Sequence, residues 1–139
     1  MNKIMGLDLG SVTCGVAMSD LLGMIATGYE NYRFEPNQYD KCADHIIDLV
    51  KQFNIQTIVL GLPKHMNGDI GERAQISIQF KEKLLARKPD LNIVLVDERL
   101  STKVAEQSLI FADVSRKKRK KVIDKMAAVN ILQGYLDSH

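Results

Sequence analysis

Ile4-Met5-Gly6-Leu7-Asp8-Leu9-Gly10-Ser11 is an apolar run of strand length interrupted by one carboxylate. An ionised acid set among apolar neighbours loses hydration, so the fold has to supply a counter-charge, a metal ion or a raised pKa. Gly10 has no Cβ and lets a phosphate or another backbone come close. Gly10 and Ser11 are therefore candidate phosphate contacts in the turn that follows. Gly15-Val16-Ala17-Met18-Ser19-Asp20 then reads as the returning strand of a hairpin. An acid on a strand beside a glycine turn points to a phosphate or metal site.

Outward from this hairpin, a third strand runs from about Met24 to Phe34, with Gly23, Asn31 and Pro36 as punctuation. Ala43, Ile46, Ile47 and Val50 recur at helical spacing within 38–53. Thr57-Ile58-Val59-Leu60-Gly61-Leu62-Pro63 is a continuous apolar run suited to a strand buried on both faces. A polar loop over 64–71 leads to a helix over 72–87, and Asn92 to Asp97 forms another buried strand. Ser101 or Thr102 is placed to cap a short helix reaching about Ile110. A basic stretch over 113–121 precedes a final helix from Val122 to Leu136. Three strands followed by helix-strand-helix-strand-helix predict an antiparallel meander joined to parallel crossovers in one mixed α/β sheet.

The 139 residues suit one domain, 1–139, with a substantial core. A net charge of +2 is too small to announce nucleic-acid binding, so any basic character that matters is local. Cys14 and Cys42 form no metal-spaced pair and read as reduced thiols. No run approaches the ~20 apolar residues of a membrane span, and no signal-peptide hydrophobic region precedes Asp8. These features predict a soluble cytoplasmic protein with no membrane partner.

If the strands ending at Leu62 and Asp97 run parallel to the first, their C-terminal ends share an edge with Asp8. Glu98 stands at that edge. Asp97 and Glu98 alternate between faces, so one of the two faces the site, and a solvated pair with Arg99 competes with that role. On the last helix, Asp124 heads a stripe of Ala127, Ala128, Ile131 and Tyr135 that should pack on the sheet. A second stripe, Val122, Met126, Val129, Leu132 and Leu136, widens the apolar arc. A first-turn acid is also favoured by the helix dipole, which accounts for its position but not for its apolar face. Three converging carboxylates need a cation, and oxygen ligands of this kind suit Mg²⁺ or Mn²⁺. Two such ions about 4 Å apart activate a water and stabilise the leaving oxygen of a phosphodiester. His45, His65 and His139 are too scattered for zinc. Arg116-Lys117-Lys118-Arg119-Lys120-Lys121 reads either as a solvated turn or as a guide for a polyanionic backbone. Lys64, Arg73 and Arg99 are further candidate phosphate contacts.

Asp8-Leu9-Gly10-Ser11, Gly15 to Asp20, Gly61-Leu62-Pro63-Lys64-His65-Met66-Asn67-Gly68, Asp97-Glu98-Arg99-Leu100-Ser101-Thr102 and Asp124-Lys125-Met126-Ala127-Ala128 occur in that order. Together they resemble the YqgF/RuvX family of pre-16S rRNA nucleases and Holliday junction resolvases, across essentially the whole chain. The resemblance implies a ribonuclease H-like fold, here a mixed five-stranded sheet flanked by helices (three antiparallel strands plus two parallel ones). It implies a metal-dependent cytoplasmic nuclease that matures the 5′ end of 16S ribosomal RNA, with ribosomal precursor particles as partners. Asp8, Glu98 and Asp124 are the acids it implies, which selects Glu98 over Asp97. Val12-Thr13-Cys14 occupies the turn where many members carry a basic residue. Asp20, Asp69 and Asp97 remain the options for a fourth acid. Resolution of four-way DNA junctions and a non-catalytic RNA-binding role in ribosome assembly are the alternative expectations. No dimerisation helix stands out, and the sequence leaves the oligomeric state open.

Overall fold

The computed structural model describes residues 3–63, 71–97 and 116–138. Five strands form one sheet: β1 (Ile4–Leu9), β2 (Thr13–Ser19), β3 (Ala26–Arg33), β4 (Thr57–Leu62) and β5 (Asn92–Asp97). Three helices are described: α1 (Tyr39–Phe53), α2 (Glu72–Arg87) and α3 (Arg116–Ser138). The sheet order is β3-β2-β1-β4-β5. β1, β2 and β3 make the antiparallel meander, while β4 is parallel to both β1 and β5. The expected mixed sheet is therefore the one observed.

Strand periodicity divides the core between two faces. Met5, Leu7 and Leu9 join Cys14, Val16 and Met18 beneath α1 and α2, where Ile46, Val50, Phe80 and Leu84 are buried. The opposite face carries Ala17, Ala26 and Val59, covered by Ala128, Ile131 and Leu132 of α3. Both α3 stripes supply this contact, as the wide apolar arc predicted.

Closest approach is at Gly6. A Cβ there would lie 2.7 Å from Leu132 Cβ and 3.1 Å from the Ala128 carbonyl oxygen. Missing side-chain volume on β1 is what lets α3 lie against the strand backbone.

Several element limits differ from expectation. β3 starts at Ala26 rather than Met24, because Met24 and Ile25 belong to the hairpin turn. α3 begins at Arg116, six residues before Val122, so the basic run is helix and not a solvated turn. Lys and Arg are good helix formers, and their intrinsic preference outweighs cations at the unfavourable end of the dipole. The expected helix from Ser101 or Thr102 and the polar loop over 64–70 lie outside the described residues.

Cys14 and Cys42, remote in sequence, are both free and fully buried. A hydrogen bond with Cys42, followed by burial itself, pushes the Cys14 thiol well above its usual range. Both thiols are core groups with no nucleophilic character.

Replacing Gly6 by Ala tests the α3 contact. Ala in a strand gains roughly 0.5–1 kcal/mol over Gly through the unfolded chain. Overpacking against a helix backbone costs about 1–3 kcal/mol, so the clash wins. Urea unfolding of Gly6→Ala should therefore show a net loss of stability of up to about 2 kcal/mol.

Candidate active edge

Asp8 shares its face of β1 with Ile4 and Gly6, so it lies on the α3 side of the sheet. It pairs with Gly15 of β2. Continuing the β1–β4 register one residue past Leu7–Leu60 sets Gly61 on its other flank, and Gly61 pairs with Val96. The row across the sheet therefore reads Asn31, Gly15, Asp8, Gly61, Val96, since Asn31 pairs with Gly15. Asp8 is the acid of this row, and neither adjacent strand walls it with a side chain. Both of these flanking glycines, Gly15 and Gly61, are buried.

The helix is level with this row at a definite point. α3 runs opposite to β1: Gln133 bonds to Met24 and Ala26, which lie level with Ile4 through Ser19, while Gly6 meets Ala128 and Leu132. Two strand residues advance about 6.7 Å, against a helical pitch of about 5.4 Å. The turn level with Asp8 is thus about one turn before 128–132, the turn that contains position 124. From there the helix continues back to Arg116, carrying the basic run roughly 4–12 Å beyond the row.

Arg73 reaches the same edge. Its guanidinium donates to the Leu9 carbonyl oxygen at 3.1 Å, one residue from Asp8. α2 brings it there because its N-terminus, Glu72, lies past the C-terminal end of β4. Gly10 meets one of the two approaches its sequence allows, that of another backbone. Its N–H donates to the Thr13 carbonyl oxygen at 2.6 Å, and a Cβ would sit 3.1 Å from that oxygen and from Thr13 Oγ1. The close approach that requires glycine is thus made by its own turn. Ser11 is exposed beside it.

Two of the three options for a fourth acid fall elsewhere. Asp20 lies at the far end of the hairpin, where Oδ1 accepts from the Met24 and Ile25 N–H groups at 2.8 and 3.2 Å. Asp97 follows Ile93 and Leu95 on the α1/α2 face, opposite to Asp8. Asp69 lies outside the described residues, as do Glu98, Lys64 and Arg99. Arg116, Lys117 and Arg119 occupy the first turns of α3. His45 is drawn into an ion pair with Glu30 and stacks on Tyr32 at 3.9 Å, consistent with a structural role. His65 and His139 lie outside the described residues.

Asn31 was read as punctuation, yet it sits in the Asp8 row with Oδ1 buried and no hydrogen-bond partner. Only strand pairing reveals it, because β3 is remote from β1 in sequence. Among the described residues, no group of three His, Cys, Asp or Glu side chains is placed to hold a metal ion.

This sheet, with its acid-bearing first strand and final helix, is the architecture of the ribonuclease H-like resolvases. The fowlpox virus Holliday junction resolvase superposes with a TM-score of 0.62 at 14% identity, covering 99% of both chains. T. thermophilus RuvC in complex with Holliday junction substrate gives 0.60 at 11% identity, covering 99% of this chain and 95% of that one. The RuvX family, described as Holliday junction resolvase, matches residues 2–138. A Staphylococcus aureus (strain N315) protein named "Putative pre-16S rRNA nuclease" is 54% identical over 137 residues, covering 99% of this chain and 96% of its own. The chain belongs to the RuvX family.

Asp20 gives a pH prediction. Backbone N–H groups of Met24 and Ile25 hold its carboxyl below the usual 3.8. A depressed folded pKa adds stability that is complete above 3.8 and is lost as pH falls through the lower folded value. Asp20→Asn keeps an acceptor without the charge. Its thermal midpoint should fall less steeply than wild type between neutral pH and pH 3, while a metal-site role would instead show as lost cleavage.

Proposed function

We propose that this chain is a nuclease that hydrolyses phosphodiester bonds of structured nucleic acid at the Asp8 edge, with precursor 16S rRNA as its substrate. The observation that carries this reading is the Asp8 row, an acid flanked by glycines and level with the α3 turn that bears Asp124. The name of the S. aureus relative supports the RNA substrate. The family description supports four-way DNA junctions as the second reading.

Asp8, Glu98 and Asp124 are the proposed catalytic and metal-holding acids. Carboxylate oxygens are the donors that Mg²⁺ and Mn²⁺ prefer, so the donor chemistry of these three acids fits such a group. A bound divalent cation would neutralise phosphate charge and raise the acidity of water. The chain itself orients the carboxylate by fixing β1 between β2 and β4. Arg73, tied to the Leu9 carbonyl, presents positive charge to an incoming phosphate. The cations at the start of α3 draw the polyanion toward the edge, a contribution that weakens as salt rises. Gly10, Ser11, Lys64, Arg99, Arg116, Lys117 and Arg119 complete the proposed substrate surface. No described helix is long and apolar enough to cross a membrane, and the cytoplasm, where precursor ribosomes are processed, is the proposed location.

Cleavage of end-labelled precursor 16S RNA and of a four-way junction, with Mg²⁺ or Mn²⁺, tests the reading directly. Wild type should cut the RNA. Asp8→Asn should lose more than the roughly 10–100-fold that loss of an outer-shell partner costs. Preferential junction cutting would select the second reading. Binding of precursor RNA with no product under any metal condition would instead identify an assembly factor.

Arg73→Gln should weaken RNA binding about tenfold. It should also reduce the salt slope by about one phosphate contact. Filter binding across a salt series reads both, and an unchanged slope would remove Arg73 from the phosphate path.

A further inference from the structure

The end of the sheet opposite Asp8 carries a rigid apolar knob. Leu21, Leu22, Met24 and Ile25 at the β2–β3 turn are 57%, 66%, 64% and 62% exposed. The turn is held from both sides. Asp20 Oδ1 accepts from the Met24 and Ile25 N–H groups, and Gly23, at φ +71°, closes the turn by donating to the Asp20 carbonyl. From α3, Gln133 donates to the Met24 carbonyl and accepts from the Ala26 N–H, both at 2.9 Å. Four large apolar side chains are therefore displayed on a turn fastened at Asp20, Gly23, Met24 and Ile25, which lowers the cost of ordering it on association.

Beside the knob is an open groove of about 430 Å³, with Met18, Ile25, Tyr29 and Phe53 among its lining residues. Phe53 meets Tyr29 edge-on at 5.4 Å and lies under the Lys3 ammonium at 5.6 Å. Lys3 and Asp20 stand on this same groove with opposite charges.

We propose that the protein associates with a second copy of itself through this pole, the knob of each chain seated in the groove of the other. Knob and groove adjoin on one surface, so a two-fold axis between them engages both pairs at once, as an isologous interface requires. The same operation brings Lys3 of one chain toward Asp20 of its partner, giving charge complementarity without another protein. Apolar side chains this exposed and clustered mark association surfaces. The knob alone is smaller than the roughly 800 Å² per partner of a stable interface, and the reciprocal groove supplies the added area.

The consequence concerns geometry at the other end. From Gly15 in the Asp8 row to Ser19 at the end of β2 is four strand steps, about 13 Å, and the knob lies beyond. A two-fold axis through the hairpin pole leaves the two Asp8 edges at the outer ends, each open to its own substrate.

Sedimentation equilibrium of the full chain from 1 to 100 µM tests the proposal independently of any nuclease assay. Wild type should be dimeric in this range. The double variant L22E/M24E, charged at two solvent-facing positions, should keep its thermal midpoint and raise the dimer dissociation constant roughly a hundredfold. A wild type that stays monomeric at 100 µM overturns the proposal. So does a dimer that persists unchanged in L22E/M24E.

Discussion

Contact between the α3 backbone and β1 at Gly6 sets the height of everything at the active edge. A helix normally stands about 10 Å from a sheet on its side chains, in the manner of other packed layers. Here Leu132 Cβ and the Ala128 carbonyl come to where a Gly6 Cβ would stand. The strand rise and the helix pitch then leave little freedom in which turn of α3 is level with Asp8. A bulkier residue at position 6 would lift or slide the helix and carry position 124 away from the row. Asp8 therefore owes its setting to a side chain that is absent two residues earlier.

The row itself expresses a second constraint. A carboxylate on a central strand loses solvent, and its neighbours on both adjacent strands are residues without a side chain. Gly15 and Gly61 stand on either flank, although glycine weakens strands and gives up packing. On the previous row, Ala17, Gly6 and Val59 are covered by α3. Small residues thus recur on two successive rows, beneath the helix on one and beside an acid on the next.

Much of this was legible in the sequence because it depends on local periodicity. The apolar runs of β4 and β5 and the spacing of Ile46, Ile47 and Val50 gave the elements, and alternation gave opposite faces to adjacent strand residues. Asp97 on the α1/α2 face bears out that alternation. What escaped depends on partners distant in sequence. Asn31 joins the Asp8 row only through strand pairing, and the Cys14–Cys42 contact only through α1 folding onto β2. At Gly10 the sequence leaves open whether a backbone or a phosphate makes the close approach, and the Thr13 backbone makes one. The basic run was read as a turn or guide because charge repulsion was weighed above intrinsic helix preference. Met24 and Ile25 read as the start of the third strand, since nothing local reveals that Gln133, over a hundred residues away, ties the turn from α3.

These features divide the molecule into two ends with different physics. At the C-terminal end of β1, Asp8 and Arg73 lie where α2 and α3 both begin, the end to which the proposed polyanion binding is assigned. At the N-terminal end of β1, the Ser19 hydroxyl accepts from the Ile4 N–H and Asp20 and Gln133 consume the backbone polarity of the hairpin. What remains outward there is hydrocarbon. β2 connects the two ends, beginning in the Gly10–Thr13 turn beside Asp8 and finishing in the apolar knob. Salt should therefore act mainly on the first end, through screening of phosphate contacts. Burial of apolar area, which salt does not screen, governs the second. The proposed substrate capture and the proposed self-association are in this way assigned to opposite ends of a single small sheet.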